Sequence, residues 1–364
     1  MLWPSPLQER LLVVALADPE PAAAAWDELR PRFSFEQLET GSVTLLPLVY
    51  RALVRAGIDD PLLPRLKGVY RKSWVTGRLL LARTRESAAL LDAAGVHAVF
   101  LEGAVLATRF YPELGLRRSS AVDVLVDVGD AEAARATLGR AGWVEPPGSE
   151  PGQVLHLFDE HRNACVLRTR LAADFVPRSG REPADLQTEL VDLDGTAVRV
   201  LAPTDVLLSI CVLHARAGEG RNVQWIGDAK MVLGSGEIDW NRLFEIGSEH
   251  QQALRLRDAL GYLAGLPGPA PPRNVLERLE RRGAPWRERL GHRLASGSLG
   301  AGNATALLLG EHLAQTAPEP WARALASFPA RLRDRWGLTR RRHLPLAAGR
   351  RAIRRLGSRR DEVS

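Results

Sequence analysis

Residues 101–126 read LEGAVLATRFYPELGLRRSSAVDVLV. A glycine turn, Leu101-Glu102-Gly103, leads into a short helix over 103–111 that ends near Tyr111-Pro112. Arg117, Ser119 and Ser120 follow. The next stretch, 122–128, is β-branched and apolar apart from Asp123 and Asp127, which predicts a strand. Side chains alternate along a strand, so position 121 shares a face with Asp123, and it is alanine.

Around this segment the pattern divides the chain. Residues 1–94 form an N-terminal helical region. Leu7, Leu11, Leu12 and Ala15 recur at helical spacing, as do Leu45, Leu46, Val49, Leu53 and Val54, with Pro47 placed in a first turn. After the linker 57–64, a long helix spans about 64–94, with Gly95 just past its end. Residues 95–201 form an α/β unit. Asp130 stands where it can cap a helix closed by Gly142. Residues 153–158 and 164–171 pair around the turn 159–163, and Asp194-Gly195 between two alternating runs signals a hairpin over 189–201. Thr204 or Asp205 can cap the helix that opens a third, helical region at 202–265, broken near Gly234-Ser235-Gly236. After the Pro-rich linker 266–273, residues 274–364 form C-terminal helices with an Arg-rich tail. Strands confined to one block predict an α+β fold: a small mixed-sheet core with N-terminal and C-terminal helical regions.

Here the sequence resembles the uncharacterised bacterial nucleotidyltransferase family within the polymerase-β-like superfamily. The resemblance rests on Leu101-Glu102-Gly103, Tyr111-Pro112, Arg117 and Asp123-Val124-Leu125-Val126. Further along it rests on Pro203-Thr204-Asp205-Val206-Leu207-Leu208 with His214, Trp225-Ile226-Gly227-Asp228, and Ile238-Asp239-Trp240. It implies Mg-dependent transfer of a nucleoside monophosphate from an NTP to an acceptor, a small molecule or a peptide. Two cations would activate the attacking oxygen and stabilise the leaving pyrophosphate. It also implies roles. Asp123 is the catalytic carboxylate and a metal ligand; Glu102, read from its place on the turn beside the strand and not from the family pattern, is the candidate second oxygen donor. Gly103, Arg117, Ser119 and Ser120 hold the nucleotide.

The departures from the family pattern fall in the catalytic positions. Glu102 stands where a lysine is usual, and Ala121 where the first metal carboxylate is usual. Val166 stands where the third carboxylate is usual, and Arg168 where a histidine is usual. Asp127 lies about 13 Å along the strand from Asp123, too far to share an ion. Asp159, Glu160 and Asp174 lie near strand ends without the required spacing. The pattern is that of a retained fold with an eroded metal site. The alternative is a non-catalytic nucleotide- or partner-binding protein on the same fold, with Asp123 a hydrogen-bonded strand residue.

Other constellations are plainer. His214 and Asp228 are expected to hydrogen-bond between successive helices, and Trp225 and Trp240 to anchor the helical core. Cys165 and Cys211 lack metal spacing and read as small core residues. His156 and His161 flank a turn, and HExxH, GxSxG, Walker A and GxGxxG motifs are absent. The net charge of +6 conceals a tail, residues 331–360, with twelve Arg and one acid. The tail reads as a solvated helix, with contact to an anionic surface, lipid or nucleic acid, as the other readings. No apolar run is long enough to span a membrane, and the N-terminus lacks signal-peptide character, so a cytoplasmic protein is expected.

Overall fold

The computed structural model describes residues 3–39, 41–147, 154–172, 175, 185–214, 223–295, 304–316 and 321–335. The chain divides into two units, Met1–Ala284 and Pro285–Ser364. The first begins with helices α1 (Pro6–Leu16), α2 (Pro19–Leu29), α3 (Leu46–Arg55) and α4 (Leu63–Ala93). Pro47 sits in the first turn of α3, and Gly95, just past α4, takes a φ of 71° that favours glycine. Strand β1 (Val99–Phe100), helix α5 (Ala104–Phe110), strand β2 (Ala121–Leu125) and helix α6 (Ala131–Arg140) follow. Next come β3 (Val154–Phe158), β4 (Ala164–Arg168), β5 (Thr188–Leu193) and β6 (Thr196–Leu201). Helices α7 (Pro203–His214), α8 (Gln224–Gly234), α9 (Trp240–Glu249), α10 (Ala253–Ala264) and α11 (Arg273–Arg281) complete this unit.

The six strands form one mixed sheet in the order β3-β4-β2-β1-β6-β5. β2 runs parallel to β4 with Asp123 opposite Val166, and antiparallel to β1. β1 and β6 are parallel. The β5–β6 hairpin turns on Asp194 and Gly195, both at positive φ, as a two-residue turn of right-handed strand twist requires. One face of the sheet, with Phe100, Val122, Val124, Cys165, Leu167 and Val200, packs on α4 and α6. On the other face Val99, Leu125 and Leu201 join the larger core of α1–α3 and α7–α10, which includes Trp225; Trp240 packs half-buried against it. Asp123 shares this second face by alternation. Cys165 and Cys211 are free and buried, and burial pushes both thiols up to about 12.

Three expectations are corrected. β2 ends at Leu125 rather than 128: after Val126 donates to the Arg168 carbonyl, the chain leaves the sheet in a 3-10 turn over 128–130. That turn delivers Asp130 in the right-handed helical region, so it stands at the N-cap position without capping through its side chain, which needs an extended backbone. Neither Thr204 nor Asp205 caps α7, because Pro203 opens the helix and puts both inside its first turn.

In the second unit the described helices are α12 (Trp286–Ala295), α13 (Ala304–Gln315) and α14 (Trp321–Arg335). His312 on α13 bonds the Ala324 carbonyl at 2.7 Å and the Ser327 hydroxyl at 2.9 Å on α14. Of the Arg-rich tail only 331–335, in α14, is described, and the rest lies outside the described residues, as does Asp174. No described helix is long and apolar enough to cross a membrane.

Candidate functional site

The Leu101-Glu102-Gly103 turn is pinned to β2 by backbone contact. Leu101 N–H donates to the Asp123 carbonyl at 3.0 Å. Gly103 has φ 69°, and a Cβ there would stand 2.5 Å from the Ala121 carbonyl oxygen, so only glycine fits. Segment 117–118 is held from two sides. The Ser73 hydroxyl of α4 donates to the Arg117 carbonyl at 3.0 Å, and the Gln224 amide of α8 donates to the Arg118 carbonyl at 2.8 Å.

On this frame three carboxylates meet three basic groups. Asp123 is buried, and Arg168 grips it with two parallel bonds, Nε to Oδ1 and Nη2 to Oδ2, each 2.7 Å. This fork geometry is the strong form of the carboxylate–guanidinium pair. Arg117, buried, donates to both oxygens of Asp228 at 2.8 and 2.9 Å and to the Gly103 carbonyl at 3.1 Å. The Tyr111 hydroxyl completes Asp228 at 2.6 Å. Glu102 meets His214 Nε2 at 2.5 Å and Arg117 Nη2 at 3.5 Å.

The titrations follow from these contacts. Burial pushes the Asp123 carboxyl up, with Arg168 opposing and Glu102 adding to the rise. Burial would also raise Glu102, but His214 and Arg117 outweigh it and hold it below the usual carboxylate range. Burial works against protonated His214, yet Glu102 raises its pKa above the ordinary histidine value. Burial and Asp228 together lift the Tyr111 phenol well above its usual value. With His214 protonated, the three basic groups balance the three carboxylates.

The structure thus brings Asp123, Glu102, Gly103 and Arg117 together. Glu102, expected to donate an oxygen to a metal, faces His214 and Arg117 instead. Arg117, expected at a triphosphate, is turned to Asp228. Ser119 is buried with its hydroxyl unpartnered, whereas Ser120 is exposed. The expected His214–Asp228 bond is replaced: His214 reaches Glu102, and Asp228 is filled by Arg117 and Tyr111. Two contributors were missed, Arg168 as the partner of Asp123 and Tyr111 as more than a helix stop. For Arg168 a signal existed. A lone arginine in the apolar strand Cys165-Val166-Leu167 and a lone carboxylate in β2 call for each other when both are buried. Among the described residues no group of three or more His, Cys, Asp or Glu is placed to hold a metal ion.

A profile of the family described as "Uncharacterised nucleotidyltransferase" matches residues 42–267, well over half of the chain. The chain belongs to this family. The match begins just before α3, takes in the whole sheet and ends just after α10, so the paired carboxylates lie within the nucleotidyltransferase-family region. Among solved structures the chain is similar to an antigenic nucleotidyltransferase-like protein from Paracoccidioides brasiliensis. The identity is 16%, the match covers 52% of this chain and 94% of that one, and the TM-score is 0.35. Comparison with curated proteins gives no match.

The remaining landmarks of the sequence form a separate joint. Asp205, fully buried, accepts two bonds from Arg242 of α9, at 2.7 and 2.8 Å, and one from the Gln187 backbone at 3.1 Å. The Thr204 hydroxyl accepts from Asp239 N–H at 2.9 Å, and Asp239 in turn caps α9 through the N–H groups of Asn241 and Arg242. The Pro-Thr-Asp and Asp-Trp elements are therefore two halves of one helix-to-helix clamp.

Proposed function

We propose that this nucleotidyltransferase-family protein is a non-catalytic binding protein, cytoplasmic, in which metal-dependent transfer of a nucleoside monophosphate to an acceptor has been lost. One observation carries the reading: both oxygens of Asp123 are occupied by the Arg168 guanidinium. Magnesium requires near-octahedral oxygen ligands and a site without a resident cation. Here the position beside Asp123 already holds a positive charge. Ala121 and Val166 offer no side-chain oxygen, and Glu102 is held by His214 and Arg117. The residues present do not fit a magnesium ion, so no step is assigned to one. Nucleotide contact in this reading falls to the Gly103 turn and to Ser120, whose side chain is exposed, because the Ser119 hydroxyl is buried. Arg117 is committed to Asp228.

The test is to incubate the protein with each NTP and magnesium or manganese, measuring pyrophosphate release and, by calorimetry, nucleotide binding. The expected result is release no greater than in the protein-free control, with any binding insensitive to metal. Turnover that Asp123→Ala abolishes would overturn the reading.

A further inference from the structure

Helix α4 carries a face that the site does not use. Residues 61–85 contain seven Lys or Arg and no acid. Four of the seven are paired: Arg65 with Glu36, Arg78 and Arg85 with Asp194, and Arg83 with Glu86 and Asp159. The remaining three, Lys67, Arg71 and Lys72, are exposed and form no ion pair among the described residues. Among them stand Trp74, Val75 and Leu79, at 46%, 51% and 56% exposure. At about 100° per residue, Val75 and Leu79 form a strip with Lys72 on one side and Arg71 and Lys67 on the other, Trp74 lying beyond. The opposite side of the helix, with Leu66, Leu80, Leu81, Ala88 and Leu91, is buried in the unit.

We propose that this face of α4 docks on an anionic lipid surface. The apolar strip flanked by cations has the layout of a helix lying in a membrane interface. The aliphatic residues reach the acyl boundary, the indole sits among headgroups and the cations meet the phosphates. A second copy of the chain would bring the same uncompensated charge and be repelled. A nucleic acid backbone would match the cations but set phosphates against Val75 and Leu79. Of the nearby acids, Glu113 is bonded to Tyr70 and paired with Arg51, Asp194 lies between two arginines, Asp60 is paired with Arg30 and Glu86 with Arg83; Asp59, which lines a pocket with Lys67, offsets one of the three cations and leaves the face positive. The proposal is independent of the reading given above for the carboxylate site.

The Arg-rich tail could carry the full chain to vesicles by itself, so the test reads α4 locally. Both native cysteines are fully buried, so a Val75→Cys variant takes a thiol-reactive, environment-sensitive dye at one position. Phosphatidylcholine vesicles containing phosphatidylserine are expected to blue-shift the dye, and vesicles without it to leave it unchanged. The combined variant Lys67→Gln, Arg71→Gln, Lys72→Gln should weaken this response by roughly 100-fold. A dye on Leu190→Cys, on the sheet face away from α4, should not respond. An unshifted dye at position 75 overturns the proposal even if the protein sediments with the vesicles. So does an equal shift at position 190, an unchanged titration in the combined variant, or a stronger response to single-stranded nucleic acid than to vesicles.

Discussion

The β2–β4 carboxylate site and the α7–α9 clamp are built alike, although only the first lies where catalysis would be expected. In both, a buried aspartate is gripped through two oxygens by one arginine from a neighbouring element: Arg168 on Asp123, Arg242 on Asp205. The clamp joins α7 to α9. The likeness teaches that a carboxylate at a catalytic address can serve the same structural purpose. The difference lies in surroundings. Asp205 is fully buried and takes a backbone N–H as well, whereas the Asp123 carboxylate keeps a little exposure and adjoins the Glu102–His214 pair.

Substitutions can break or sharpen this comparison, and the largest effect should come from Arg117→Ala. It strands buried Asp228 and removes a partner of Glu102, so urea unfolding should show a loss of about 4 kcal/mol. Arg242→Ala follows at about 3–4 kcal/mol, since it strands the fully buried Asp205 carboxylate. Arg168→Ala should cost about 2–3 kcal/mol, somewhat less because the carboxylate it leaves, Asp123, is not fully buried. If Arg168→Ala costs nothing, the two regions are not alike.

His214→Gln should cost about 1 kcal/mol near pH 6, measured by the same unfolding curves. The pH dependence has a definite sign. Because the folded pKa of His214 is raised, its contribution is complete below the ordinary histidine value of about 6.5 and is lost as pH rises through the folded value. Glu102 is lowered, so its contribution is present above the ordinary carboxylate value and is lost as pH falls through the folded one. The wild type and His214→Gln should therefore converge in stability on the alkaline side. Divergence there would detach His214 from Glu102. The smallest effect is expected of the double variant Asp123→Leu, Arg168→Met, within about 1 kcal/mol of wild type, because removing both charges of a buried pair leaves nothing stranded. A loss as large as that of Arg168→Ala alone would show that the pair does more than hold the sheet.

Much of the frame was legible because its signals are local. Asp194-Gly195 dictates its hairpin, Pro47 opens α3, and Gly95 follows the end of α4, each through the conformation of one or two residues. Asp130 shows the limit of such reading. Its position was legible, but its backbone angles depend on a preceding turn that the pattern did not reveal. The parallel pairings β2–β4 and β1–β6 join segments far apart in sequence, so no local signal sets their register. For the same reason the missing carboxylates at 121 and 166 could be read, and Arg168 left a signal of its own, whereas the groups that hold Glu102 and Asp228 left none. The partners of the three carboxylates come from β4, α7 and the α5–β2 connection, brought together by packing.

Arg168 has one more consequence. A metal ion exchanges with the medium, and its occupancy follows its concentration and the presence of chelators. A guanidinium on the neighbouring strand arrives with the chain at an effective concentration fixed by the fold. In the proposed non-catalytic reading the Asp123 site therefore has no loading step and no apo form, and its charge balance is settled during folding.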